Sequence, residues 1–317
     1  MEFQVLMKKI YYILLFGFIT VSCQKKIEFD LPEVEQTLVL EATVENGFPP
    51  KVILTRSQGY FDVFNITSAS LVNIFITDAQ VKISDGINEF DLDFDNNISV
   101  NGFSVPGYST SDSNIIGEYG KNYTLNVYHK GDILTAKAQI PYPVQMDSVW
   151  FDPYIAFDDT LGWIKCNFKD PDTVGNCYRW FSKRINSFTY NYEAPFDNVL
   201  GEVKDKRFLP PIGSTTDDKL FNGLKFDFVL PRGVNGVVEG PDDSGVEGSF
   251  FSRGDTVVVK SSTTTYPIYL YVRAMENAAA SNGSIFSSSG NLPYNVEGDG
   301  IGVFYGYGSS YDTLICE

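Results

Sequence analysis

The chain has 317 residues and a formal net charge of −16, from 24 Lys and Arg against 40 Asp and Glu. A surface this acidic repels a phosphate backbone, which argues against nucleic-acid binding. Because the chain has a single histidine, His129, sites built from two or more histidines are excluded and a Ser-His-Asp triad has little support. Aromatic residues make up 15% of the chain and glycine contributes 27 residues, a composition that favours strands joined by turns over helices.

Residues 1–22 have the pattern of a signal peptide. Two lysines, Lys8 and Lys9, precede an apolar run from Ile10 to Ile19. This run is about half as long as the roughly 20 residues that a transmembrane helix needs. We therefore interpret the segment as a targeting signal that is cleaved off, and not as a transmembrane helix.

The end of this segment resembles a bacterial lipobox, in which a cysteine thiol receives a diacylglycerol and the chain is cleaved before that cysteine. Ser22 supplies the small residue directly before Cys23, although Thr20 stands where a lipobox usually has Leu. The alternative is an ordinary signal peptide followed by a cysteine that occurs there by chance. We predict Cys23 as the site of lipid attachment and residues 23–36 as a polar tether.

Residues 37–143 are predicted to form an N-terminal Ig-like or transthyretin-like β-sandwich domain. Two prolines, Pro141 and Pro143, mark its end. Within it, short segments that alternate apolar and polar residues recur at regular spacing: they are Thr37–Gly47, Lys51–Ser57, Asp78–Gly86, Asn88–Asp95 and the hairpin Lys121–Ile140.

Residues 144–317 are predicted to form a second β-rich domain with one or two short helices. Ser214–Gly223 has a Ser/Thr cap, acidic residues in its first turn and a glycine stop, which favours a helix. The segment TYPIYLYVRAMENAAASNG has Pro267 for a first turn and Gly283 as a stop, although its β-forming residues make a strand at its start the alternative. The predicted fold class is mainly β, with two sandwich-like domains.

The segment WIKCNFKDPDTVGNCYRW is predicted as a hairpin that contains Cys166 and Cys177. A turn centred on Pro171 and Asp172 would place the two cysteines opposite each other, where a disulfide can form in an oxidising envelope. A turn centred later would separate them, and two buried free thiols are the alternative. Cys316 is expected to be unpaired.

The C-terminal stretch interleaves aromatic residues with glycines. Tyr294, Phe304, Tyr305 and Tyr307 can form a contact patch, since such side chains give large contact area at low entropic cost. The alternative, which we favour, is that the rings fill the core while the glycines let strands approach closely.

Neither the histidine nor the paired acids indicate catalysis. His129 lies on a predicted hairpin, so we expect it to be exposed and inert. Adjacent acids occur at Asp158 and Asp159 and again at Asp242 and Asp243. Such pairs could serve glycoside hydrolysis, but adjacent acids on loops are usually solvated surface. No metal-ligand spacing is present, so no metal ion or other cofactor is expected.

Several segments occur in a characteristic order. A lysine-bearing tether after Cys23 leads into LPEVEQTLVLEATVENG, and the order continues through PPKVILTRSQGYFD, DAQVKISDG, GKNYTLNVYHKGDILTAKAQIPYPVQMDSVWF, FKDPDTVGNCYRW, FSRGDTVVV and NVEGDGIGVFYGY. In that order they resemble an uncharacterised domain family of Bacteroidota outer-membrane lipoproteins, often encoded beside TonB-dependent receptors. Cys177 and Asp299 depart from this pattern, at positions where the family usually has an aromatic residue and Gly. The first departure supports a local disulfide.

The resemblance implies an all-β, surface-associated lipoprotein with no known catalytic residues. We therefore expect a non-enzymatic accessory or binding subunit, anchored in the outer membrane by its lipid and docked on a barrel protein such as a TonB-dependent receptor. Cell-surface exposure is expected. The periplasmic face is the alternative, because QKKIEFD after Cys23 lacks the compact acidic run that resembles a surface-export signal.

Two other functions remain open at this point. One is a secreted hydrolase that uses two carboxylates, such as a glycosidase, which is motivated by the surplus of acids. The other is a structural subunit of envelope assembly that binds no ligand. A cleft with two facing acids would favour the first of these.

Overall fold

A computed structural model describes residues 36–57, 74–100, 103–111, 115–154, 160–186, 208–211, 213–233, 250–280 and 292–317. The mainly β fold class is confirmed. In these ranges the elements are β1 Leu38–Glu45, β2 Lys51–Arg56, β3 Gln80–Ser84, β4 Glu89–Val100, β5 Phe103–Ser109, β6 Asn122–His129, β7 Asp132–Gln139, β8 Met146–Pro153, β9 Leu161–Lys169, β10 Cys177–Asn186, β11 Thr215–Asp217, β12 Lys225–Leu230, β13 Phe251–Ser252, β14 Thr256–Thr264, α1 Tyr266–Ala280, β15 Val296–Gly298 and β16 Gly300–Ile315.

The described strands form two sheets. The larger has twelve strands in the order β11-β10-β14-β16-β1-β2-β5-β4-β3-β6-β7-β15. The smaller has four strands and is centred on β9, which pairs antiparallel with β8, β12 and β13.

Strand β16 joins the two halves of the larger sheet. Its first half pairs parallel with β1, from Leu38 opposite Gly300 to Glu45 opposite Tyr307. Its second half pairs antiparallel with β14, from Thr263 opposite Gly308 onward. Strands from residues 37–143 and from residues 144–317 therefore share one sheet, and the two predicted regions are not separated by their backbone hydrogen bonding.

The apolar side chains, in contrast, divide near the predicted boundary. A first cluster collects buried residues of β1 to β7 and adds Val296 and Phe304 from the C-terminal part. A second cluster is built from β8 to β14 and the end of the chain, with Phe168 and Tyr178 among its largest members. A third, small cluster lies between α1 and β16 and contains Tyr305 and Tyr307.

Alternation along each strand decides which cluster its side chains join. In β1 the buried residues Leu38, Leu40, Ala42 and Val44 belong to the first cluster. Because successive side chains of a strand point to opposite faces, Glu45 lies on the other face of the sheet. The same rule applies to β14, where Val257 and Val259 join the second cluster and Lys260 faces the opposite side.

Glycines in β16 allow another strand to approach its backbone. A Cβ atom built on Gly306 would lie 1.8 Å from the carbonyl oxygen of Gln139, and one on Gly308 would lie 1.9 Å from that of Pro141. These distances are far shorter than any van der Waals contact, so only glycine fits at either position. The predicted use of glycine for close strand approach is confirmed here.

One of the two predicted helices forms. The helix α1 covers Tyr266–Ala280, with Pro267 in its first turn and Ile268 and Val272, four residues apart, buried on one face. The predicted stop Gly283 lies outside the described residues.

The helix predicted over Ser214–Gly223 is wrong. The segment forms β11, which pairs with β10, and then a turn. Its acidic residue Asp218 does not cap a helix, because its carboxylate accepts hydrogen bonds from the backbone of Gly175 and Asn176. Ser, Thr and Asp favour turns as well as helix starts, and here the tertiary contact decides between them.

Candidate functional site

The predicted hairpin between Cys166 and Cys177 is wrong. Cys166 lies on β9 in the smaller sheet, where it is paired with Val149 and Phe228. Cys177 lies on β10 in the larger sheet, where it is paired with Asp217 and Thr264. The connection between the two strands therefore crosses from one sheet to the other. It does not return along the same sheet, as a hairpin would.

Cys166, Cys177 and Cys316 are all free and buried. The thiols are therefore buried and free, as the alternative prediction stated, and no disulfide joins Cys166 to Cys177. Burial raises the pKa of each thiol from 9.0 to about 12, because the apolar surroundings disfavour the thiolate. All three are placed as packing residues and not as nucleophiles.

Raising the pH should destabilise the fold through these thiols. Below pH 9.0 they are protonated in both states, but above it the unfolded chain loses protons first, so stability falls as the pH rises from 9.0 toward 12. At about pH 10 each thiol costs on the order of 1 kcal/mol. Urea unfolding of the wild type and of Cys166→Ala should show a smaller alkaline loss in the variant. Equal losses in the two proteins would contradict the burial of Cys166.

The predicted contact patch does not form. Phe304, Tyr305 and Tyr307 are buried, while Tyr294 is exposed. Alternation along β16 sends Phe304 into the first apolar cluster, whereas Tyr305 and Tyr307 pack under α1 in the third. The favoured alternative, in which the rings fill the core, therefore describes these three side chains.

A buried lysine on the shared sheet is the most unusual polar feature of the described residues. Lys260 places its Nζ atom 2.7 Å from Glu45 Oε2, and only 4% of its side chain is exposed. Glu45 also accepts a hydrogen bond from the hydroxyl of Tyr311. Burial lowers the pKa of Lys260, and the neighbouring carboxylate of Glu45 opposes that shift.

Aromatic rings enclose the ammonium group. Its Nζ atom lies 5.0 Å from the ring centre of Phe181, 5.6 Å from those of Phe208 and Tyr307, and 5.9 Å from that of Tyr311. These distances fall within cation–π range. We call Lys260, Glu45, Phe181, Phe208, Tyr307 and Tyr311, together with Arg179, the lysine–aromatic cluster.

Strand register assembles this cluster. Lys260 is directly opposite Phe181 of β10 and Tyr311 of β16. Arg179 lies two residues before Phe181 on the same face; it donates a 3.0 Å hydrogen bond to the hydroxyl of Tyr307 and stacks on the ring of Phe181 at 4.9 Å. The cluster members are therefore one another's partners across four strands and a neighbouring loop.

The chemistry of the lysine–aromatic cluster is structural. Its ion pair joins β1 to β14 across β16, between residues 215 positions apart in the chain, so it ties the two halves of the large sheet together. This ion pair was not predicted from the sequence. The available signal was a lysine inside the otherwise apolar and small-residue strand TVVVKSSTT, where an exposed lysine would be out of place.

His129 is also not where it was expected. It is buried, and its Nε2 atom lies 3.0 Å from Oδ1 of Asp78. The prediction that His129 is exposed is therefore wrong. The neighbouring Lys130 also contacts Asp78, at 3.1 Å, so the carboxylate holds the start of the β6–β7 turn.

Two buried carboxylates fasten a pair of turns at one end of β9 and β10. Oδ2 of Asp218 accepts hydrogen bonds from the backbone N–H groups of Gly175 and Asn176, at 2.7 and 2.8 Å. Asp170 accepts one from the N–H of Gly223 at 3.0 Å and one from the hydroxyl of Tyr178 at 2.5 Å. We call residues 171–176 and 218–224 the double-turn tip.

The double-turn tip exposes aliphatic side chains on this fastened backbone. The exposed fractions are 84% for Val174, 92% for Leu220 and 56% for Leu224. Three exposed lysines lie in or directly beside the same turns, Lys219 next to Leu220 and Lys169 opposite Lys225, together with the exposed Asp172. Neighbouring exposed aliphatic residues of this kind mark interaction sites more often than isolated ones do.

The remaining predicted features have mixed outcomes. The lipid-attachment residue Cys23 and the acid pairs at 158–159 and 242–243 lie outside the described residues, so the hydrolase alternative stays a hypothesis. Within the described ranges no group of three or more His, Cys, Asp or Glu residues is placed to hold a metal ion. Among the same residues no helix is long and apolar enough to cross a membrane.

Comparison with known proteins supports part of the resemblance. Residues 24–312 match the family described as "Domain of unknown function (DUF4249)". A search of curated proteins gave no significant match. The match begins at the residue after Cys23 and extends into β16, so it covers the proposed tether and nearly all of the strand-built part.

Proposed function

The chain belongs to the DUF4249 family, and we propose that it acts as a lipid-anchored, non-catalytic accessory protein that docks on an outer-membrane barrel. The barrel we expect is a TonB-dependent receptor, and the expected location is the cell surface. The lipid on Cys23 would hold the body, and the body would supply the docking surface. No catalytic step is part of this proposal.

One observation carries the proposal. Ser22 and Cys23 follow a short apolar run, and the family match begins at the next residue, 24. Cleavage before Cys23 would leave a mature chain whose first residue is this cysteine. The family region would then begin at the second residue of the mature chain. Several acyl chains on that cysteine would anchor the body stably, since one chain alone gives only marginal binding.

The contacts within the strand-built body are of the kind that a docking subunit needs, because they hold its surface in place. The lysine–aromatic cluster ties β1 to β14, and buried carboxylates fasten the double-turn tip. Rigid surfaces lose little conformational entropy when they bind. Loops on such a framework are therefore suited to recognition.

Affinity purification of the acylated full chain from solubilised outer membranes should recover one TonB-dependent receptor in a fixed ratio. A tagged receptor should recover this chain in return, and the unacylated Cys23→Ala chain serves as a control for capture through the lipid alone. Repeated reciprocal purification without any barrel protein would contradict the proposal. Protease treatment of intact cells should degrade the chain if it faces outward, and leave it intact if it faces the periplasm.

A further inference from the structure

We propose that the double-turn tip inserts its aliphatic side chains into the headgroup region of the lipid bilayer, as a second membrane contact beside the lipid anchor. This inference rests on the proposed function in one respect, namely that the anchor brings the body to a membrane. The surface it invokes consists of Val174, Leu220 and Leu224 with the lysines around them.

The fastening of the tip is the first argument. Burying a Leu or Val side chain is favourable, so a chain that exposes Leu220 and Val174 almost completely forgoes that gain. The exposure is built in, because Asp170 and Asp218, both fully buried, hold the two turns through three backbone N–H groups. A further backbone hydrogen bond, from Asp170 N to Leu224 O at 3.0 Å, keeps Leu224 beside them.

The composition of the tip favours lipid over protein as the occupant. Protein interfaces are enriched in Tyr, Trp and Arg and depleted in Lys. The tip instead presents aliphatic residues beside Lys169, Lys219 and Lys225, with one exposed carboxylate, Asp172. Aliphatic residues beside lysines are typical of segments that lie in a membrane interface. Tyr266 stands at its margin, where its hydroxyl accepts a 3.3 Å hydrogen bond from Lys219, and tyrosine is enriched at the level of lipid headgroups.

The tether joins the body at the Leu38 end of β1, and strand register places Cys177, next to the tip, beyond the opposite, Glu45 end. The body therefore has to turn this end toward the bilayer, and the length of the tether allows that. Twelve residues, 24–35, separate the acylated position from the described body, and the thirteen steps from residue 23 to residue 36 span at most about 45 Å when fully extended. The body is therefore confined near the surface, and confinement raises the effective concentration of any second contact. A weak insertion suffices under these conditions.

Charge selects the kind of lipid. The lysines at the tip are partly neutralised, since Lys219 pairs with Asp217 at 2.9 Å and Lys225 with Asp147 at 2.6 Å. The chain as a whole carries −16, which opposes an anionic surface. A zwitterionic bilayer avoids that repulsion, so the insertion we propose depends on apolar contact and changes little with salt.

Tryptophan substitution tests the insertion directly. Leu220→Trp places a reporter on the tip, and Ile87→Trp places one on the β3–β4 turn, where the native side chain is 86% exposed. Both variants of the acylated full chain are reconstituted in phosphatidylcholine vesicles with brominated acyl chains. The fluorescence that Trp at position 220 adds to that of the native tryptophans should fall roughly twofold or more in these vesicles, because the ring would lie at the headgroup–acyl boundary. Emission added at position 87 should not change.

A second comparison removes the anchor. In the Cys23→Ala background, Leu220→Asp should lower partitioning into excess phosphatidylcholine vesicles by roughly tenfold or more, while Ile87→Asp should leave it unchanged. Both sites are exposed, so both variants should retain the unfolding transition of the parent. The quenching comparison is repeated in this background. If the native chain proves not to be acylated, the proposed function fails, but this comparison still shows whether the tip inserts.

Three outcomes would overturn the insertion. One is an equal response of positions 220 and 87 in both backgrounds. Another is quenching at position 220 that appears only when a barrel protein is added, which would assign the tip to a protein partner. The third is partitioning that Leu220→Asp leaves unchanged. An acylated chain that stays in vesicles while position 220 remains unquenched would leave the proposed function standing without the insertion.

Discussion

Replacing Cys23 with alanine, in a chain exported by a signal peptide that is cleaved without acylation, should transfer the protein from the membrane fraction to the soluble fraction. Each acyl CH₂ group that enters the bilayer contributes about 0.8 kcal/mol, so the loss of several chains removes far more binding energy than the double-turn tip can supply. Fractionation of cells after a high-salt wash measures the effect. The expected result is nearly complete release.

A neighbouring substitution provides the matched control. Ser22→Ala keeps a small residue before the cysteine, so it should leave processing and membrane attachment intact. Release of both variants would indicate a processing defect unrelated to the thiol. A Cys23→Ala chain that stays fully membrane-bound would remove the proposed anchor, and with it the reason for choosing an outer-membrane partner.

Replacing Lys260 with methionine should destabilise the fold by about 3 kcal/mol, since it leaves the largely buried carboxylate of Glu45 without its cation. Methionine keeps most of the aliphatic volume, so the loss reports mainly on the ion pair and the cation–π contacts. Urea unfolding monitored by tryptophan fluorescence measures it. The companion variant Glu45→Gln allows a double-mutant cycle, in which we expect the combined loss to be smaller than the sum of the two single losses.

An exposed ion pair of similar length is the control for this prediction. Lys82 lies 2.8 Å from Glu89, but their side chains are 27% and 48% exposed, compared with 4% and 13% for Lys260 and Glu45. Lys82→Met should change stability little, because solvent screens such pairs. Similar losses for the two lysine variants would contradict the view that burial makes the Lys260 pair important.

Strands could be predicted where the determining pattern is local. The segments that became β3 and β4 alternate clearly, and their inward residues Val81, Ile83 and Leu92 are buried in the first cluster. The hairpin predicted over Lys121–Ile140 forms β6 and β7, and its turn uses Lys130 and Gly131, both with positive φ. In each case neighbouring residues contain the whole signal.

The errors arose where distant residues decide the structure. The pattern around DPDTVGN fits a hairpin, but β9 and β10 find their partners in different sheets, and no local feature specifies that choice. Asp218 suggested a helix start, whereas it binds the backbone of residues 175 and 176, about 40 positions earlier. The sequence alone offered no means to detect that contact.

The candidate sites were harder to predict than the fold, for the same reason. The Glu45–Lys260 pair joins residues 215 positions apart, and its aromatic shell comes from β10, β16 and a loop. The double-turn tip exists only because two buried carboxylates bring separate turns together. Lipid attachment at Cys23 could be predicted from sequence alone because a processing signal is linear and is read before the chain folds.

Mass spectrometry of the N-terminal peptide of the native protein decides whether the lipid anchor exists. We expect a mature chain that begins at Cys23 and carries diacylglycerol on the sulfur of that residue. An N-terminus at another position, or an unmodified Cys23 in protein isolated from the membrane, would contradict this expectation.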